Sequence, residues 1–290
     1  MTNSRTWTSH EVTDTCRRLR RQTASAGAQL TGFPFRLCQP IKGYRLRGVQ
    51  LDATDWREAW VEASEFVECT FNRADFSGLR DHGNRFEECE FNKTQFNGAV
   101  LGFEGSRYIK CTFDRADFTH TGFIRAVFED CSFRNCRLSG IDFEASRFVR
   151  TRFEGRLKDV WFRGDYGVPY GTGKWGIPEG DPVLDADFEQ ATLDGVTYGM
   201  GLDLSRVRLP DEPGSYLYDQ WGDRLARVER ALADADERTR RETRVFSAAY
   251  APRGDQRWYI ITMSDLDRDF GHDLASRFVE LLGEPTRKSG

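Results

Sequence analysis

The sequence predicts a mainly β chain built on a four-sided parallel β-helix, a solenoid, with a small helix at its N-terminal end and an α-rich cap at its C-terminal end. Three observations predict it. Large apolar residues recur every five positions, a period that fits neither a single helix nor a single strand. A smaller set of residues runs in phase, two positions ahead of the large one. Matching residues also recur 20 positions apart, so four five-residue units make one turn.

The large series begins Leu46, Leu51, Trp56, Val61, Phe66, Phe71, Phe76, Asp81, Phe86, Phe91, Phe96 and Leu101. It slips by two residues and resumes at Tyr108, continuing to Phe153. Fifteen of the 22 Phe occupy it once Phe188 is included. Residues two apart in a strand share a face. Each unit is therefore a short strand with one small and one large residue turned inward, followed by a corner. Stacked turns share parallel hydrogen bonds at the usual ~4.8 Å spacing. Cys69 and Cys89 are 20 apart, as are Cys111 and Cys131, and the gap of 22 between the pairs contains the slip. This predicts one column of four cysteines, a ladder of Phe71, Phe91, Phe113, Phe133 and Phe153, and a corner bulge near Gly102–Gly105.

The units CTFNR, ADFSG, CEFNK, CTFDR, ADFTH and CSFRN resemble the pentapeptide-repeat family, whose units read roughly A-(D/N)-(L/F)-x-x. The resemblance covers about Tyr44 to Phe153 and a short return at Ala186 to Leu209. It implies a right-handed β-helix. Members of the quinolone-resistance type are DNA mimics that bind DNA gyrase or topoisomerase IV in place of DNA. The resemblance thus implies a non-catalytic protein with a protein partner, protecting or modulating a type II topoisomerase in antibiotic or self-resistance. It implies no direct nucleic-acid contact and a monomer or homodimer. The alternative is a scaffold whose aromatic segment and C-terminal module form a small-molecule pocket.

Departures from the repeat mark the candidate contact sites. Asp81 stands at a large inward position, and because an unpaired buried carboxylate is costly, its unit is expected to bulge outward as a small loop. From about 154 to 185 the repeat gives way to a Gly- and Pro-rich stretch containing Trp161, Phe162, Tyr166, Tyr170 and Trp175. Such a segment either folds back on the solenoid or forms a binding surface. Domain boundaries are expected at 1–43 for the N-terminal helical segment, 44–210 for the β-helix and 211–290 for the C-terminal module. In the last, helical periodicity covers about 219–248, Trp258–Thr262 reads as a strand, and Ser264 is expected to cap a final helix to about Leu282.

Composition narrows the function classes. Net charge is −4, which gives no global reason for nucleic-acid or anionic-membrane binding. Acids and bases nearly balance through the repeats, except that residues 61–100 carry eight acids against four bases. No apolar run approaches a membrane span, and the N-terminal residues lack the apolar stretch of a secretory signal. These features point to the cytoplasm and to seven reduced cysteines. The sequence contains no CxxC, HExxH, GxxxxGK[ST] or GxSxG, and its four His show no metal-ligand spacing. No cofactor, metal or catalytic activity is expected. DLDRDFGHD (265–273) follows a calcium loop for three positions only, because its Gly271 falls one place late.

Overall fold

A computed structural model describes residues 6–21, 27–103, 105–164, 183–199, 201–211, 213–252 and 256–289. Its body is a parallel β-solenoid. One wall, here called wall one, stacks eight short strands, from Ile41–Lys42 through Trp60–Glu62, Arg80–His82, Val100–Phe103, Gly122–Ile124, Asp142–Glu144 and Trp161–Arg163 to Thr197–Gly199. A second sheet, from Arg45–Arg47 to the long strand Arg147–Lys158, covers further walls. Strand pairs such as Phe66↔Phe86 and Phe113↔Phe133 confirm the 20-residue step.

The corners explain why the period is five. The second residue after each large one takes a positive φ, as at Ala53, Glu58, Ala63, Glu68 and Arg73, with φ between 48° and 59°. A left-handed corner costs a non-glycine residue about 1 kcal/mol. Stacking offsets that cost, since the corner N–H donates to the next turn, as from Ala53 to the Asn72 carbonyl at 2.8 Å. Four corners per turn bring the chain back on itself.

Inside, the Phe ladder forms as expected and runs one turn further. Centroids of Phe71 and Phe91 lie 4.9 Å apart, Phe113 and Phe133 4.7 Å, Phe133 and Phe153 5.0 Å, and Phe153 and Phe188 5.3 Å. The four cysteines form their column, all fully buried. Each thiol reaches a carbonyl of the preceding turn, Cys89 to Phe66 at 3.4 Å and Cys131 to Tyr108 at 3.2 Å. Thr94 and Thr121 donate in the same way, each at 2.8 Å. The small inward position therefore favours small donors as well as alanine.

The slip is a bulge at Val100–Phe103, where the register against Arg80–His82 shifts. Gly102 has φ +88°, and a Cβ there would lie 2.5 Å from the Ala126 backbone, so only glycine fits.

Several expectations need correction. The repeat does not stop at Glu154. The strand Arg147–Lys158 carries it round the corner one residue short, pairing Leu138 with Leu157 and Phe143 with Phe162. Cys16 and Cys38 are not free thiols. They form a disulfide, with Cα atoms 5.3 Å apart, joining the helix Ser9–Arg21 to the turn above the first coil. The C-terminal helical stretch is split into Trp221–Ala231 and Glu237–Ala249, because Asp236 caps a new start by accepting the Thr239 N–H. The final stretch is likewise split, into Met263–Phe270 and His272–Leu282, at Gly271 with φ 78°. Its N-cap is Thr262 rather than Ser264.

The C-terminal module closes the end of the solenoid. Leu217 and Ile260, from its small sheet, join the solenoid core, while Trp221, Leu225, Phe246, Leu266 and Phe278 form a core of its own. Polar clamps fix the contact. Asp265 accepts the Gly195 N–H, Gln256 donates to the Tyr198 carbonyl at 2.8 Å, and Arg287 donates to the Val207 carbonyl. Asp265, the first residue of the stretch that only partly follows a calcium loop, is thus occupied with docking.

Candidate interaction surface

The inside of the rod offers no reaction chamber among the described residues, because rings and small donors fill it turn by turn. Functional chemistry therefore has to sit on the walls, at the ends, or at places where the repeat departs from pattern.

Asp81 is the first such place, and it does not bulge outward. It sits in the strand Arg80–His82 with Val61 as its neighbour in register, and it is fully buried. Its Oδ1 accepts from Asn84 Nδ2 at 2.5 Å and from Ser106 Oγ at 2.7 Å. Its Oδ2 accepts from the Gly102 N–H at 3.0 Å and from Tyr108 Oη at 2.8 Å. Four donors make the buried carboxylate tolerable, and one of them is the backbone of the bulge. Asp81 thus anchors the slip. Burial raises its pKa above the ordinary carboxylate value, although all four hydrogen bonds pull the other way. No partner can touch this side chain directly. The signals in the sequence were Asn84, at the small inward position three residues on in the same turn, and Ser106, one turn beyond it in that small-position column.

Trp161 and Phe162 belong to the solenoid rather than to a loop. Phe162 is a fully buried plug, stacked on Phe143 at 5.2 Å and on Tyr198 at 5.8 Å. Trp161 points outward on wall one, with the Arg163 guanidinium 5.5 Å from its ring centroid. Tyr166, Tyr170 and Trp175 lie outside the described residues. Near Trp161 the C-terminal module meets the wall around a cavity of about 30 Å³ lined by Arg163, Tyr198, Gln256 and Tyr259. That is room for about one water.

The walls carry charge in a repeating pattern. Acids of one turn pair with bases of the next, as in Lys42–Glu62 at 2.6 Å, Lys110–Glu88 at 2.9 Å, Arg137–Asp117 at 3.0 Å and Arg150–Asp130 at 2.7 Å. Asp55 shows the electrostatic result. Burial alone would raise its pKa, but hydrogen bonds from Arg57 and Arg36 hold it down at about 2. Asp130 is held down chiefly by its hydrogen bond from Arg150. The carboxylates are thus ionised but locally compensated. Among the described residues no three His, Cys, Asp or Glu are grouped to hold a metal, and no helix is long and apolar enough to cross a membrane.

This geometry defines a class: a parallel β-helical protein whose interior is filled by stacked rings and small side chains. Residues 103–135 and 111–150 match the family model described as pentapeptide repeats, in eight copies. The solenoid is a pentapeptide-repeat β-helix. Solved structures similar to it include a trypsin-treated form of QnrB1, described as a plasmid-mediated fluoroquinolone resistance protein, at 15% identity and TM-score 0.33, covering 61% of this chain and 89% of that one. Full-length QnrB1 aligns at 15% identity and TM-score 0.28, covering 61% and 91%. HetL from the cyanobacterium Nostoc sp. strain PCC 7120, described as a pentapeptide repeat protein involved in heterocyst differentiation regulation, aligns at 16% identity and TM-score 0.26, covering 65% and 87%. No curated protein matches the sequence.

Proposed function

We propose that this chain is a non-catalytic interaction protein that binds a type II topoisomerase, DNA gyrase or topoisomerase IV, along the walls of its β-helix, protecting or modulating the enzyme. The observation that carries the reading is a rod of stacked pentapeptide repeats with a filled interior and regularly spaced ionised carboxylates outside. The acidic stretch at 61–100 is the part of the rod best suited to meet a surface that normally holds DNA phosphates. Inter-turn pairing with Arg and Lys limits that acidity to patches, so the contact uses shape and local charge rather than a uniform negative field.

The test is supercoiling by purified gyrase, titrated with this protein in the presence and absence of a gyrase poison. Inhibition alone, or rescue from the poison, at near-stoichiometric protein is the expected result. Glu90→Lys, an exposed change inside the acidic stretch, should weaken the effect roughly tenfold by a local charge reversal. Absence of any effect up to large excess removes the topoisomerase reading.

A further inference from the structure

We propose that wall one is where two copies of this chain meet, packed wall to wall with their rods antiparallel. The proposal does not rest on the topoisomerase reading. It starts from an apolar strip. Trp60 and Phe103 are two of only four large hydrophobic side chains counted as exposed among the described residues, at 48% and 37%. Both lie on wall one, joined by His82, whose ring stacks on Trp60 at 4.2 Å and meets Phe103 edge-on at 4.8 Å. One turn further, Ile124 extends the strip outward.

The charges flanking this strip name its occupant. Each strand of the wall shows two outward residues, one in each of two columns. One column reads Trp60, Arg80, Val100, Gly122, Asp142, Trp161; the other reads Glu62, His82, Phe103 up to the bulge and Ile124, Glu144, Arg163 beyond it. A two-fold axis lying in the interface, parallel to the strands and midway between Val100–Phe103 and Gly122–Ile124, reverses the order of turns and leaves the columns in place. It sets Arg80 opposite the partner's Asp142 and His82 opposite the partner's Glu144. At the centre it sets Phe103 against the partner's Ile124, and Val100 against the partner's Gly122, whose missing side chain lets the walls approach. Further out, Glu62 faces the partner's Arg163. Every opposed pair is complementary, and each occurs twice, as an isologous interface requires. The other in-plane axis, along the rod, would set Asp142 against the partner's Glu144, so only the antiparallel arrangement fits.

The charged groups are already engaged within one copy, Glu62 with Lys42 and Asp142 with Arg163, so docking adds partners to them instead of stranding bare charges. The C-terminal module approaches the wall beside Trp161 and Thr197 and bounds the strip at that end. A strip this narrow falls at the small end of specific interfaces, so its Kd is on the order of 10 µM.

Sedimentation velocity of the full chain from about 1 to 500 µM measures it, spanning that Kd on both sides. The expected result is a monomer–dimer equilibrium. Arg80→Asp opposes two acids at each of two places, Asp142→Arg opposes two bases, and each alone should weaken the dimer more than ~10-fold. Mixed one to one, the two variants should recover a heterodimer within ~3-fold of the wild-type Kd, since every opposed pair is again of opposite sign. Ile124→Asp should weaken the dimer with no rescue from either. Circular dichroism on each variant separates loss of contact from loss of fold, and Arg80→Asp alters only an exposed side chain. A monomer throughout the range overturns the proposal, and so does a dimer that is indifferent to both reversals.

Discussion

Asp81 shows how one residue can satisfy the letter of a repeat and break its chemistry. Replacing it with Leu, the size the position calls for, leaves the Gly102 N–H, Asn84 and Tyr108 without their acceptor. Urea denaturation should register a loss of about 1–3 kcal/mol for that stranded set. Its titration has a definite sign. The folded pKa lies above the unfolded one, so the stability tied to Asp81 is complete below the ordinary carboxylate value and is lost as pH rises through the folded value. The gap in stability between wild type and Asp81→Asn should therefore narrow as pH rises from about 3 toward neutrality. A gap that widens over that range would refute the assignment. The neighbouring positions Phe113 and Asp114 test the register itself. Phe113→Ala removes a fully buried, stacked ring and should cost about 3–5 kcal/mol. Asp114→Ala removes ion pairs to exposed Arg115 and Arg134 and should cost well under 1 kcal/mol.

Among the elements, the N-terminal helix Ser9–Arg21 is held to the first coil by the Cys16–Cys38 disulfide and by Arg20, which donates to the Cys38 carbonyl at 2.7 Å and the Gln39 carbonyl at 3.0 Å. The remaining five cysteines are buried in the solenoid, where burial pushes the Cys136 thiol up to about 12. Thiol titration separates the two groups. The native, unreduced chain should react slowly or not at all, the denatured unreduced chain should give five thiols, and the reduced denatured chain all seven. Seven thiols without reductant would show the disulfide to be absent. Removing the bridge with Cys16→Ser and Cys38→Ser should cost about 2–4 kcal/mol in the loop-closure view and should make the N-terminal helix the first site of proteolysis.

For the whole molecule, the decisive feature is that a stack of turns has two ends, and each end is an open sheet edge. Here the N-terminal helix lies over one, and the module from Ser215 onward closes the other with Leu217 and Ile260 against the last turns. Truncation after Leu209 should expose that edge and its buried Leu204 and Tyr198. Light scattering should then show concentration-dependent aggregation that the full chain lacks. A truncated chain that stays as soluble as the full one would mean the module serves something other than closure.

The sequence by itself determined the β-helix, its 20-residue turn, the phenylalanine ladder, the cysteine column and the place of the slip. It could do so because a solenoid folds by contacts between equivalent positions at a constant offset, so its long-range pairing is written as a local period. Wherever the offset changes, the period stops reporting. The one-residue shortening near Gly155 made Trp161 and Phe162 look like the start of a loop, although the wall continues through Arg163. The Cys16–Cys38 bond joins residues outside the repeat, where no period relates them. Asp81 read as an exile because its four donors are spread over Asn84, Gly102, Ser106 and Tyr108, and only the closed turns bring them to one carboxylate. The composition of each outer face was likewise invisible in any single unit. The tertiary structure decided it, because only stacking lines up one outward residue per turn into the column that runs from Trp60 to Trp161.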